Sequence, residues 1–168
     1  MKTLFTTLIL IGILASPCIA DYRSTIYARS VVYSPESLGK WMVENLTYQK
    51  DTNGHWKTPE ETLKDRGGDC EDLATLAGKV LERLGYKGYI IIAFYRDSKG
   101  KRKGHAIYTF REKDGTWSVI SNLEYIATRS ENMLIPTMTY AKNWKAIYIY
   151  NTDRKALFRF KRKVYTIK

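Results

Sequence analysis

The stretch "DRGGDCEDLATLAGKVLERLG", Asp65 to Gly85, constrains this chain more than any other. Asp69 is a helix cap, Cys70, Glu71 and Asp72 fill the first turn, and Gly85 ends the helix. Leu73, Ala77, Val80, Leu81 and Leu84 then recur on one apolar stripe that must be buried. At about 100° per residue Cys70 falls in the sector of that stripe, and Glu71 and Asp72 swing away from it. A helix of this kind needs a layer to lie on. The residues that follow supply one: "YKGYIIIAFYRD" (86–97), "GHAIYTFRE" (104–112) and "TWSVIS" (116–121) are rich in β-branched and aromatic side chains. "SKGKRKG" and "KDG" provide the turns, and "KAIYIYN" with "ALFRFKR" reads as a second hairpin around "TDRK". The stretch 122–144 reads as looser chain.

Upstream, "SPESLGKWMVENLTY" (34–48) opens with a Ser34 cap and Pro35 at the first helical position, and Leu38, Trp41, Met42 and Leu46 fall at helical spacing. "TPEETLKDRG" (58–67) repeats this grammar in a shorter helix, with Thr58 and Glu61 as a capping box. Helices followed by a run of antiparallel strands give an α+β fold with a central helix laid on a sheet. No repeat or linker divides the chain. Residues 21–168 are expected to form one domain.

Residues 1–20 read as a signal peptide. Lys2 is the positive end, "LFTTLILIGILA" the apolar core, and "CIA" the small residues before the cut. The run is too short to span a bilayer comfortably, so an exported protein with no transmembrane segment in its mature chain is expected. A lipid anchor on Cys18 is the rival, and Pro17 makes a poor lipobox. The formal charge of the whole chain is +11. Its basic residues are spread out, which argues for a solvated face and attraction to anionic partners rather than specific nucleic-acid binding.

Without Cys18, Cys70 is the only thiol in a chain bound for an oxidising compartment, so no internal disulfide can form. A lone exported cysteine is a small core residue, half of an intermolecular bridge, or a nucleophile. His105 begins a strand 35 residues later, and helix-on-sheet packing would let an inward thiol meet an inward imidazole. Such a pair is the activated nucleophile of cysteine acyl-transfer enzymes. A helix N-terminus adds stabilisation for the thiolate. Ile107 and Thr109 share the face of His105, and Trp117, Val119 and Ser121 share one face of the next strand. Ser121, or Asn122 where that strand ends, is the available partner to orient the imidazole. Trp56 is expected either to line a substrate cleft or to be a core aromatic, and His55 reads as a loop residue.

"HWKTPEETLKDRGGDCEDLA" followed by "GHA" and "WSVISNL" resembles the bacterial transglutaminase-like cysteine proteinases over about residues 45–126. The resemblance implies a papain-like, transglutaminase-like fold, Cys70 as nucleophile and His105 as general base. The family includes periplasmic calcium-dependent proteases that release surface adhesins. It thereby implies a protein or peptide substrate, including cell-surface proteins, and a calcium site on Asp69 and Glu71. One departure stands out. The family's Asp-Asn-Leu is Ser121-Asn122-Leu123 here, so a hydroxyl replaces the orienting carboxylate. In a serine-nucleophile triad a neutral substitute at that position costs about 10⁴ in turnover. A preformed thiolate–imidazolium pair should tolerate the loss better. The expected function is thus an exported cysteine peptidase, a hydrolase with an atypical third residue. The alternatives are a catalytically weak module binding an anionic envelope partner, and a protein-crosslinking transglutaminase.

Overall fold

The computed structural model describes residues 31–52, 54–140 and 144–161. The expected signal peptide and Cys18 lie outside the described residues. Elements run in the order α1 (Pro35–Asn45), β1 (Thr47–Tyr48), α2 (Pro59–Lys64), β2 (Gly67–Gly68), α3 (Cys70–Arg83), β3 (Gly88–Arg96) and β4 (Arg102–Arg111). There follow β5 (Trp117–Ser121), β6 (Glu124–Ser130), α4 (Ile135–Tyr140), β7 (Trp144–Tyr150) and β8 (Ala156–Lys161). The α+β class expected from the sequence is what the chain adopts.

Local chemistry fixes the three leading helices. Ser34, Thr58 and Asp69 each cap one, and all three caps close into capping boxes, through Ser37, Glu61 and Asp72. The end of α3 is equally well closed. Gly85 takes a positive φ of 87°, its N–H donates to the Glu82 carbonyl, and the Tyr86 N–H donates to that of Leu81. These two bonds make a Schellman motif, which satisfies carbonyls the helix leaves open.

Strands β3 to β8 form one antiparallel sheet in the order β6-β5-β4-β3-β7-β8. Its helix-side face presents Ile90, Ala106, Tyr108, Phe110 and Ile120, and these pack with α1 and α3 in one core. The far face presents Ile91, Ala93, Ile107, Val119, Ile147 and Ile149 in a second core. The helix α3 is buried on more than the expected stripe. Leu76, Ala74 and Thr75 are as inaccessible as Leu73 and Val80, with α2 as well as the sheet packed against this helix.

The looser stretch expected over 122–144 is a strand and a helix. β6 is a half-exposed edge strand whose polar residues hide its alternation. Its hairpin with β5 turns on Asn122, which holds a φ of 51°, and Leu123. α4 has only six residues, and Met133 and Leu134 just before it pack on the far core. Neither element has a sequence period long enough to read. Tertiary contact makes both.

Candidate active site

Two short devices set the first turn of α3 in place. The parallel pair β1–β2 joins Thr47 to Gly67 and Tyr48 to Gly68, which ties the glycines before the cap to the chain after α1. At Gly68 a Cβ would stand 2.5 Å from the Asp72 Cβ, so no larger residue fits where this backbone passes. Asp72 itself is fully buried. Its Oδ1 accepts from the Lys57 N–H at 2.7 Å and its Oδ2 from the Asp69 N–H at 3.1 Å. Away from the apolar stripe, as expected, Asp72 is nonetheless enclosed, as the N3 partner of the Asp69 cap. It is the internal tie of the turn.

Trp56 braces the same turn from the other side. Its Nε1 donates to Thr75 Oγ1 at 2.7 Å and to the Glu71 carbonyl at 3.1 Å, and its ring meets Tyr150 edge-on at 5.3 Å. The ring is partly buried against the core, and the indole N–H is spent on the helix. His55 lies outside this network, on the surface beside Glu61, with 3.3 Å between Nε2 and Oε1.

Cys70 is buried at the start of α3. Its Sγ donates to Glu71 Oε2 at 3.2 Å and receives a hydrogen bond from the backbone of Ala106, the residue after His105. The carboxylate of Glu71 therefore does not leave the thiol, contrary to the helical-wheel expectation. Rotation about its own side-chain bonds brings it back across one residue of helix. Burial pushes the Cys70 thiol up to about 12, the Ala106 hydrogen bond pulls against this, and the charges of Glu71 and Asp69 add to it.

His105 reaches the site differently from the expected inward pairing. The register puts Ala106 and Tyr108 on the helix-side face and His105 with Ile107 on the other. Its Nε2 lies 3.0 Å from Ser121 Oγ, and Ser121 pairs with Ile107 across β4–β5. The shared face of His105, Ile107 and Ser121 is as expected; its being the helix-packed face is not. Cys70 and His105 are neighbours through the backbone at Ala106. Burial holds the His105 imidazole below its usual range, with Glu71 pulling it back up. Both shifts oppose a thiolate–imidazolium pair in this state. Asn122 sits in the turn after Ser121, and its buried Oδ1 accepts no hydrogen bond, so it does not hold the imidazole N–H.

Four acids crowd this end of α3. Ligand atoms of Asp69, Cys70 and Glu71 lie within 4.8 Å of one another. Burial, then Glu71 and Asp72, push Asp69 up to about 7, and Asp51 adds to the effect. Asp51 was not singled out from the sequence. Its Oδ1 accepts from the Gly54 N–H, but its buried Oδ2 has no partner. Tyr48 is also drawn in, its hydroxyl held above its usual range by burial and by Cys70, Asp69, Glu71 and Asp51. Crowded carboxylates, one with a buried oxygen that has no partner, form a donor set suited to a hard cation.

The profile of the transglutaminase-like superfamily matches residues 26–121. A UPF0252 protein of Methanocaldococcus jannaschii is 27% identical over a 107-position alignment that covers 57% of this chain and 30% of that protein. Calcium-bound LapG of Legionella pneumophila is 18% identical, with a TM-score of 0.49, over 70% of this chain and 63% of LapG. A candidate cysteine protease from Cytophaga hutchinsonii is 16% identical, with a TM-score of 0.47, over 85% of this chain and 50% of that one. The chain thus spans less than two thirds of each of these proteins.

Proposed function

This chain belongs to the transglutaminase-like superfamily, and we propose that it is a cysteine peptidase of that class, exported from the cell. The observation that carries the reading is the meeting of Cys70 with the His105 strand at Ala106, with His105 held in turn by Ser121. In the proposed reaction His105 takes the thiol proton and Cys70 Sγ bonds to the carbonyl carbon of a polypeptide amide. The Cys70 N–H, at the helix start, helps to bind the developing oxyanion. The carbon–nitrogen bond then breaks and His105 returns the proton to the leaving amine. Water, giving a proton to His105, adds to the thioester, and the sulfur leaves as the acid is released. With Nε2 beside Ser121, proton exchange with Cys70 falls to Nδ1, and it requires the imidazole ring to come within reach of Sγ. Ser121 fixes the ring but brings no charge to stabilise an imidazolium.

Glu71 must give up the thiol for Cys70 to ionise. Asp69 and Glu71 are the residues that would hold calcium, which would supply positive charge against them and against the nearby Asp51. Among the described residues no helix is long and apolar enough to cross a membrane. Export rests on residues 1–20, and N-terminal sequencing of protein from the cell envelope tests it: a chain beginning near Asp21 is expected, and one retaining Met1 would refute export.

Ser121 favours a second reading, a relative that binds an anionic envelope partner without cutting. A crosslinking transglutaminase would share the site and differ only in using an amine as acceptor. Incubating envelope proteins with the wild type and with Cys70→Ala, with and without calcium, separates the three by mass spectrometry. New Cys70-dependent chain ends are expected. New isopeptide links would mean a transferase, and neither product would mean the binding relative.

A further inference from the structure

The helix-side sheet face continues past the start of α3. This helix packs over β3, β4 and β5, and its first residue, Cys70, ends on Ala106. The register places Phe94 and Gly104 two residues further along their strands, roughly 7 Å beyond. Gly104 has no side chain, and the Phe94 ring lies close across it, 3.1 Å from where a Cβ would stand. From there a ladder crosses four strands. The Arg102 guanidinium sits 4.8 Å from the Phe94 ring, Phe94 meets Tyr148 edge-on at 5.4 Å, and the Arg159 guanidinium sits 4.9 Å from the Tyr148 ring. Beside it a cleft of about 300 Å³ is lined by Arg96, Arg102, Lys145 and Lys161 together with Phe94, and by no carboxylate.

We propose that this face is a recognition platform for an acidic stretch of the polypeptide that Cys70 attacks. The proposal rests on the peptidase reading and names its substrate class. Guanidinium groups stacked on rings are weakly hydrated and already oriented, which suits them to bidentate contacts with carboxylates. Arg102 and Arg159 stand on β4 and β8, and the ring contacts that link their guanidinium groups keep these no more than about 15 Å apart. An extended peptide covers that distance in about four residues, so acidic side chains about four apart would meet both. The acids Asp51, Asp69 and Glu71 gather at the first turn of α3 and repel such a segment. The acidic part of the substrate therefore lies toward β7 and β8. Continuity with the thiol at Ala106 argues for a polypeptide rather than another polyanion.

The test is the fluorescence anisotropy of a labelled peptide of about ten glutamates, with a glutamine peptide as control, on the full chain carrying Cys70→Ala. The glutamate peptide should bind about tenfold more tightly than the glutamine one and weaken as salt rises. Arg102→Gln with Arg159→Gln should cost about tenfold, and Arg102→Lys with Arg159→Lys should retain part of the binding. Lys161→Gln, on the exposed edge strand, is a milder variant and should cost about threefold. Equal affinity for the two peptides, or full affinity in the glutamine variants, would overturn the proposal. So would tighter binding of polygalacturonate, which would make this a polysaccharide surface. Iodoacetamide labelling of Cys70 in the wild type reports separately on the peptidase. An inert thiol with glutamate binding intact removes the peptidase and leaves the platform. A reactive thiol with no glutamate preference removes the platform alone.

Discussion

The two ends of α3 are built on opposite terms. At its C-terminal end, Gly85 and Tyr86 satisfy the carbonyls of Glu82 and Leu81, and Val80 and Leu81 are sealed in the core. At its N-terminal end a thiol keeps its proton and donates a hydrogen bond to Glu71, Asp69 keeps its own proton to about 7, and an oxygen of Asp51 is buried with no partner. One end spends its groups on stability and the other holds them against each other. Unrelieved charge concentrated at one end of a well-packed helix marks where a ligand or reaction is served.

The largest effect should come from opening the packed body. Leu76 is fully buried, and Leu76→Ala should cost about 2–5 kcal/mol in urea unfolding. Cys70→Ala removes only a small side chain and should cost about 1 kcal/mol or less. Equal costs would dissolve the contrast between the ends.

Next in size is the effect of a cation. In EDTA, Asp69 binds its proton in the folded state up to about 7 but near 3.8 in the unfolded chain. The folded state thus holds more protons between these values, and its stability falls as pH rises through them. His105, held below its usual range, contributes the opposite slope on the acid side, so the comparison must be made with Asp69→Asn. The wild type should lose melting temperature from pH 4 to 7 relative to that variant. Calcium at about 100 times its Kd should return about 2.7 kcal/mol at pH 8. A melting temperature at pH 8 that calcium leaves unchanged would reduce these acids to a helix cap.

Asp72→Ala should cost about 1–3 kcal/mol in urea unfolding, because the N–H groups of Lys57 and Asp69 lose their acceptor inside the protein. Asp72→Asn should recover part of it by keeping one acceptor. The smallest effect belongs to Glu71→Gln. Burial, the main cause of the raised thiol pKa, stays in place, and only the carboxylate charge is removed. Iodoacetamide labelling in EDTA should speed up a few-fold, and a slower rate would mean that Glu71 assists the thiol instead of restraining it.

Much of the frame was legible in the residues. The caps Ser34, Thr58 and Asp69, the turn glycine Gly85 and the strands around His105 follow from short-range rules about backbone donors, φ and side-chain period. The site was legible in its members and less so in its relations. Spacing could pair Ser121 with His105, since both lie on one face of adjacent strands. It could not return Glu71 to the thiol, because a helical wheel fixes where a Cβ points and not where a long carboxylate ends. Nor could it find Asp51, which meets the cluster from a loop 18 residues upstream of Asp69.

By itself, then, the sequence determined the three leading helices and their caps, the strands around His105, and the identity of the thiol, the imidazole and the acids next to the thiol, since each rests on interactions between residues a few positions apart. Tertiary structure alone decided which sheet face His105 takes, that Asp72 is buried and bound, and that β6 and α4 form at all. It also decided that a row of arginines and rings continues from the thiol across β3, β7 and β8. Each of these depends on burial and on contacts between distant segments, where the local dielectric and the available partners are set by packing.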